Sequence, residues 1–284
     1  MFKEKHFAFL DESSKKEIRR AVLKAVAIPG YQVPFASREL PIARGWGTGG
    51  LQITLSLIGE DDIVKVIDQG SDESVNAVSL RNLIQETTNV RSTIRTQEAT
   101  LIQTRHRIPE TPLKEGQILI LQVPLPEPLR NVEPSEYKTK KLHGEGDYSG
   151  AWLKMFEDIM RYGQTATGAD HPVCVDGRYV MAPSPIPRFD NPKLDNSPAL
   201  LLFGAGREKK IYAVPPYTQV VSLAFDDYPF RRERFAGEKC RLTGLSDVYL
   251  DELTDETTGE IYYQINDSSY LLEHLNRETE MQTE

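Results

Sequence analysis

The feature that most limits the fold is a nearly uninterrupted apolar run, Gln117-Ile118-Leu119-Ile120-Leu121-Gln122-Val123, which ends at Pro124. A short apolar run without alternation predicts a strand that is covered on both faces. Segments with helical and strand periodicity alternate along the chain on either side of it. The sequence therefore predicts a layered core, of either the α/β or the α+β class.

The other predicted elements follow from periodicity and capping residues. Asp11 or Ser13 can cap a first helix, which Pro29-Gly30 ends. Helical spacing returns from Ser74 to Thr88, whereas segment 60–67 fits a helix or a strand equally well. Further strands are predicted by alternating or apolar runs at 51–58, 100–107, 200–203 and 211–214.

Composition divides the chain into three parts. Residues 1–127 and 181–235 are predicted to form the core, and 128–180 a central insertion that leaves it and returns. Residues 236–284 form a small C-terminal β-rich lobe with a polar tail. The insertion carries an apolar stripe at helical spacing, which needs a cover from its own domain or from a partner: Trp152, Met155, Phe156 and Ile159.

Charge and cysteine content narrow the class of protein. The formal net charge is −8, which argues against non-specific nucleic-acid binding and against a polybasic membrane anchor. No run approaches the roughly 18 apolar residues of a membrane span, and the N-terminus lacks the apolar region of a signal peptide. Two cysteines cannot make a disulfide framework. We expect a soluble, cytoplasmic protein.

Three places carry candidate binding chemistry. Arg105-His106-Arg107 can recognise a phosphate, phosphonate or carboxylate, or can be a strand end with paired charges. Gln122 is a polar residue on a buried strand, so it either satisfies a backbone group or faces a ligand. The loop Gly45–Gly50, which includes Gly47, can approach an anion closely or simply turn the chain. The histidines are scattered, and no spacing predicts a metal site.

Long irregular runs give the chain a family resemblance. Together they resemble the PhnJ family, the catalytic subunits of bacterial carbon–phosphorus lyase, over nearly the whole length: 25–35, 45–50, 99–112, 122–124, 183–187 and 202–216. The resemblance implies an α+β fold with a mixed-sheet core, a central insertion and a small C-terminal lobe. It implies organophosphonate catabolism, with ribose 1-phosphonate 5-phosphate as substrate. The implied partners are the other core subunits and an ABC-type ATPase.

The resemblance also implies a radical mechanism. In the family, three cysteines hold a [4Fe–4S] cluster that reduces S-adenosylmethionine, and the radical passes through a glycine to a fourth cysteine. The glycine falls on Gly30. The substrate-binding residues implied by the resemblance are Arg105, His106, Gln122 and Gly47, all of which are present.

The cysteines depart from the family pattern. The first falls on Cys240, but the second falls on Thr243, the third on Ile265 and the radical cysteine on Leu271. Cys174 matches no family cysteine and is expected to be a small buried apolar residue. One thiolate does not suffice for a cubane that normally has four ligands. The cofactors implied by the family therefore do not fit this set of residues.

Two functions remain open from the sequence. The chain is either a working lyase subunit, which needs a cluster or radical source from elsewhere, or a non-catalytic or altered-chemistry homologue. The second binds the phosphonate sugar and scaffolds the core complex without an iron–sulfur cluster. An unrelated hydrolase is disfavoured, because no nucleophile–base pair stands out.

Overall fold

The structure is a computed structural model. It describes residues 10–36, 49–123, 133–135, 137–138, 173–180, 190–205, 209–222, 235 and 237–283, together with a few positions between 141 and 161. Gly47 lies outside these residues, as do the four apolar residues of the insertion, Trp152, Met155, Phe156 and Ile159. Helices and strands are numbered below among the elements whose full span is described.

The first helix, α1 (Glu12–Ala27), forms as the sequence predicts. Asp11 rather than Ser13 is its N-cap, because the Asp11 carboxylate accepts the Ser14 backbone N–H at 2.9 Å. The apolar stripe that includes Ile18 and Ala25 is buried against the second helix and the sheet. After Ile28 the chain turns at Gly30, whose φ of 74° is a backbone conformation that glycine adopts readily.

The strand predicted over 51–58 is wrong, because residues 51–57 belong to the helix α2 (Gly49–Leu57). The alternation of apolar and polar residues suggested one exposed face, but every residue from Gly49 to Ser56 is buried. The helix lies between α1 and the sheet, so it has no solvent face. One of its buried polar side chains is satisfied within the helix, since Ser56 Oγ donates to the Gln52 carbonyl at 2.6 Å.

The segment that fitted both element types is a strand, β2 (Ile63–Asp68). The helix α3 (Val75–Thr88) is confirmed, with the Ser74 hydroxyl accepting the Ala77 N–H at 3.1 Å. The buried apolar run forms the strand β5 (Ile118–Val123), and the predicted strand before it forms β4 (Leu101–Arg105).

Four more strands belong to the main sheet: β1 (Val33–Pro34), β3 (Arg91–Ser92), β8 (Leu200–Ala205) and β9 (Lys210–Val214). The sheet has seven strands and organises the core, in the order β1-β9-β8-β5-β4-β2-β3. Strands β3, β2, β4, β5 and β8 run parallel. At one edge β9 is antiparallel to β8, and β1 is antiparallel to β9. The two apolar runs predicted near 200 and 211 are thereby confirmed.

Each face of the sheet carries its own apolar layer. Helices α1, α2 and α3 cover one face. The other face is covered by a small sheet, β10-β6-β7, made by β6 (Val173–Val175), β7 (Arg178–Val180) and β10 (Val220–Ser222). Val173 and Val175 are buried there with the core, so the last residues of the predicted insertion pair with the core domain. The layers confirm an α+β fold with a mixed sheet.

The regular structure of the C-terminal lobe begins with the hairpin of β11 (Leu250–Thr254) and β12 (Ile261–Ile265). The lobe ends in the helix α4 (Ser268–Thr283), whereas its sequence predicts a polar tail there. Only the first turns of this helix pack on the lobe, through residues such as Leu271, and residues 276–281 are exposed. Within the described residues, no helix combines the length and apolarity that crossing a membrane requires.

A buried lysine joins the lobe to the core. Lys65, on β2, is 0% exposed, and its ammonium lies 2.9 Å from Asp72 Oδ1 and 2.9 Å from Ser269 Oγ on α4. It also donates to the Ile94 carbonyl. Burial raises the pKa of Asp72 to about 6, although the nearby Lys65 ammonium opposes this shift. The Lys65 ammonium therefore stabilises the charged form of the Asp72 carboxylate, which is buried and poorly solvated.

We expect Lys65→Met to lower the free energy of unfolding by about 3–5 kcal/mol, because it leaves a buried carboxylate without its cation. Urea denaturation measures this loss. The control is Lys114→Met, which changes an exposed lysine and is expected to stay within about 0.5 kcal/mol of the parent. Equal stabilities for the two variants contradict a bridging role for Lys65.

Candidate functional site

Four residues form one row across the sheet, where the parallel strands end. Asp68 of β2 pairs with Arg105 of β4, Arg105 pairs with Gln122 of β5, and Gln122 pairs with Gly204 of β8. Residues in register on neighbouring strands point to the same face. Two residues predicted from sequence, Arg105 and Gln122, are therefore adjacent at the carboxyl edge of the sheet.

The Arg105 guanidinium is held by a buried ion pair. Its Nε donates to Asp68 Oδ1 at 2.9 Å and its NH2 group donates to Asp68 Oδ2 at 2.8 Å. Asn76 on α3 donates to the same carboxylate at 3.0 Å. Arg105 is 7% exposed and Asp68 is 2% exposed. The pairing expected for a strand end is present, but it is buried and bidentate, so Arg105 fixes the edge of the sheet.

Gln122 joins the sheet to the N-terminus of α2. Its side-chain carbonyl accepts the Gly50 backbone N–H. This contact needs glycine, because a Cβ on Gly50 lies 2.8 Å from Gln122 Cβ. A Cβ on Gly204 lies 2.6 Å from Ile53 Cδ1 and 3.1 Å from the Gly49 carbonyl carbon. The two glycines thus let the positive end of the α2 dipole lie directly over the row.

His106 follows this row in a strained conformation. Its φ is 72°, in the left-handed region, which costs a residue with a side chain about 1–2 kcal/mol. Burial lowers the pKa of His106 below its ordinary value, and the neighbouring Arg105 lowers it further. The imidazole is therefore neutral at pH 7, and it can donate one hydrogen bond and accept another.

His106 faces a cavity of about 410 Å³ between the core and the C-terminal lobe. The size is that of a small-molecule site. The lining is polar and comes from the loops after β2 and β4 and from the lobe: Asp68, Gln69, Ser71, Ser74, His106, Arg107, Tyr249, Asp251 and Asn266.

The cavity lies at a topological switch point. From β2 the chain passes through α3 to β3 on one side, whereas from β4 it continues to β5 on the other side. The two loops diverge and leave a crevice outside the carboxyl ends of β2 and β4. Open α/β sheets bind ligands in such crevices. No sequence pattern marked the residues that the lobe contributes, because they become neighbours of His106 only through tertiary packing.

Gly30 lies away from this crevice. Its N–H donates to the Ala213 carbonyl on β9 at 3.2 Å, at the position of the edge strand β1. Four strand spacings of about 4.8 Å separate β1 from β4, so Gly30 is roughly 19 Å from Arg105. The structure brings Arg105, His106 and Gln122 together, but it does not bring Gly30 to them.

Three of the four family cysteine positions lie in the apolar core of the C-terminal lobe. Cys240, Ile265 and Leu271 are buried together with Val248 and Leu250, each at most 7% exposed. Burial raises the pKa of Cys240, but hydrogen bonds from the Thr243 side chain and from nearby backbone N–H groups outweigh it and leave the pKa below the ordinary value. Cys174, by contrast, is half-buried on β6.

These residues do not fit a cluster held by three thiolates. Only one thiol is present at the four positions, and two of the others are aliphatic side chains in contact with the lobe core. In the part of the chain that the structure describes, no group of three or more His, Cys, Asp or Glu side chains is arranged to hold a metal. The lobe folds around apolar packing at the positions where a ligand set is expected.

Comparison with known proteins places the chain in a family. The family model described as "Phosphonate metabolism protein PhnJ" matches residues 3–277. An alpha-D-ribose 1-methylphosphonate 5-phosphate C-P lyase of Escherichia coli (strain K12) is 57% identical over 265 residues, which cover 93% of this chain and 94% of that protein. The lyase of the same description from Rhizobium meliloti (strain 1021) is also 57% identical over 265 residues, 93% of this chain and 89% of that protein. With a family match over nearly its whole length and relatives at this identity, the chain belongs to the PhnJ family of phosphonate metabolism proteins.

Proposed function

We propose that this chain acts in organophosphonate catabolism as a subunit of a cytoplasmic carbon–phosphorus lyase core complex. Its substrate is ribose 1-phosphonate 5-phosphate, which binds at the carboxyl edge of the sheet. The observation that carries the proposal is the crevice beside His106, in a chain 57% identical to lyases named for this substrate class. The other groups at the carboxyl edge of the sheet favour the binding of an anionic sugar.

The groups at the carboxyl edge of the sheet have different roles in binding the substrate. The N-terminal end of α2 carries partial positive charge and favours an anionic group. Of the predicted Gly45–Gly50 loop, Gly49 and Gly50 are the first residues of this helix. The neutral His106 imidazole donates a hydrogen bond to an oxygen of the substrate. Arg105 and Gln122 hold the edge and the helix in place through their contacts with Asp68 and Gly50. The proposed contact residue is therefore His106, and Arg105 acts mainly through its ion pair.

A second function is favoured by a specific observation in the lobe. Because Ile265 and Leu271 pack into its core, we propose that this chain binds the phosphonate sugar and scaffolds the complex without an iron–sulfur cluster of its own. Radical chemistry with S-adenosylmethionine then has no electron source in this chain, and Gly30 has no radical to relay. A working lyase needs that source from another subunit.

We expect the anaerobically purified chain, treated with iron and sulfide, to hold no stoichiometric [4Fe–4S] cluster, because one thiolate remains at four ligand positions. Iron and sulfide analysis with absorption spectroscopy measures this. The matched variant carries Thr243→Cys, Ile265→Cys and Leu271→Cys together and serves as the positive control. About four irons per chain in the unchanged protein, with a cluster absorption band, contradicts the proposal.

Substrate binding is tested better at His106 than at Arg105, because Arg105→Ala also leaves the buried Asp68 carboxylate without its cation. We expect His106→Gly to weaken binding of ribose 1-phosphonate 5-phosphate by roughly 10–150-fold in calorimetry with the partner subunits present, through loss of a hydrogen bond to a charged group. Glycine also relieves the positive φ, so His106→Gly should be more stable than His106→Ala by about 1 kcal/mol.

The control for this experiment is His274→Ala, which removes a half-buried imidazole on α4 and should leave affinity unchanged. Unchanged affinity in both His106 variants contradicts a contact between His106 and the substrate. Equal stability of the Gly and Ala variants contradicts the strained backbone at this position.

The proposed partners are the other core subunits and an ABC-type ATPase. We expect Trp152→Asp to weaken co-purification with them, because a charge in the apolar stripe of the insertion disrupts a buried contact between subunits. The isolated variant should unfold at the same temperature as the parent. An isolated variant that fails to fold, or partners that never co-purify with the parent chain, contradicts the assembly role.

A further inference from the structure

The C-terminal lobe contacts the segment that carries His106, residues 105–110, which we call the His106 loop. Tyr249, just before β11, stacks on the Arg107 guanidinium, with Cζ 3.4 Å from the ring centroid. The Tyr249 backbone N–H donates to Glu110 Oε1 at 3.2 Å. In return, the Glu110 backbone N–H donates to Asp267 Oδ2 at 2.8 Å. The lobe therefore contacts the loop at two points beyond His106.

The core holds the opposite side of the same loop. Asp190 accepts the Ile108 N–H at 3.0 Å and lies 3.3 Å from an Arg107 nitrogen. Lys193 lies 2.8 Å from Asp190 and 3.0 Å from Glu110. Two cations and two carboxylates thus form a compact cluster with no net charge. Arg107 lies between this cluster and the Tyr249 ring, and only 5% of it is exposed.

The lobe is held against the core by several close contacts. The Ser269 hydroxyl accepts a hydrogen bond from the buried Lys65 ammonium, and the Asp72 backbone N–H donates to Ser268 Oγ at 3.4 Å. Gly70 lies against the lobe so closely that a Cβ there falls 1.6 Å from Asn266 Oδ1. Tyr249 is itself fixed from behind by Phe235, whose ring meets it edge-on at 5.0 Å between centroids. The ring therefore has little freedom to follow the loop.

We propose that, in this chain, the C-terminal lobe positions the His106 loop, and that Tyr249 is its main positioning residue. A left-handed residue between two arginines has no strand partner to hold it, so its geometry depends on what clamps the residues that follow. The lobe supplies that clamp and one wall of the cavity. The lobe, in which two family cysteine positions are aliphatic, thereby has a role at the site. The inference rests on the proposed function only where substrate is concerned.

The test compares Tyr249→Leu, which removes the ring over Arg107, with Tyr249→Phe, which keeps it. The readout is the His106 imidazole resonance and its titration in the isolated chain, assigned with His106→Gly. The charged groups that face this imidazole are Arg105 and Arg107 of the loop, Asp68 after β2, and Asp251 across the cavity on β11. None of them is changed by the Tyr249 variants.

In Tyr249→Leu we expect the His106 resonance to shift and its pKa to rise toward the ordinary value of about 6.5, because a loosened loop admits water. Tyr249→Phe should restore the parent values. Tyr249→Leu should also weaken the binding of the phosphonate sugar by roughly tenfold. The matched control is Tyr262→Leu, which removes another ring that faces an arginine, Arg241, at 4.9 Å within the same lobe.

An unchanged His106 pKa in Tyr249→Leu, or an equal change in Tyr262→Leu, overturns the proposal. If Tyr249→Leu does not fold, Tyr249→Met fills the same space with an apolar side chain and is judged by the same outcomes. If neither folds while Tyr249→Phe does, the ring is structural and the proposal is overturned. Failure of the parent chain to bind the phosphonate sugar contradicts the proposed function but leaves the imidazole measurement valid.

Discussion

The ion pair between Arg105 and Asp68 is the interaction on which the site depends, because it joins the two strands whose loops diverge. It is bidentate and almost fully buried, so its geometry is narrowly defined and its loss leaves a desolvated charge. The parallel pairing of β4 with β5 puts Gln122 next to Arg105, and Gln122 in turn holds α2 over the edge. The crevice, the helix end and the strained His106 all take their places from this row.

The C-terminal lobe shows how one architecture can be held together by different chemistry. A metal cluster stabilises a small lobe because ligand binding is coupled to folding. Here Ile265 and Leu271 are buried instead, and each fully buried aliphatic side chain contributes about 1.5–3 kcal/mol relative to an exposed one. The backbone turn at Cys240 is closed by a hydrogen bond from the Gly244 N–H to the Cys240 carbonyl at 2.8 Å. Apolar packing therefore stabilises the lobe at these positions.

Much of the fold could be predicted because the local signals agree with the tertiary environment. The β5 strand is apolar since it is covered by α2 on one face and by the small sheet on the other. Asp11 and Ser74 cap helices through contacts three residues away, which a sequence shows directly. The α2 helix was misassigned because its polar residues are buried, so its pattern does not report a solvent face.

By itself, the sequence determined the family, the order of most core elements, the candidate residues Arg105, His106 and Gln122, and the replacement of three cysteine positions. These depend on residue identity and on short-range spacing, which the chain carries along its length. Only the tertiary structure decided that Arg105 is already paired, that Gly30 lies four strands away, and that Tyr249 stacks on Arg107. Tyr249 and Arg107 are separated by more than a hundred residues, and no local preference encodes such a contact. The contact forms because the lobe buries its own apolar residues and pairs its polar groups with the core. This packing fixes the position of the Tyr249 ring.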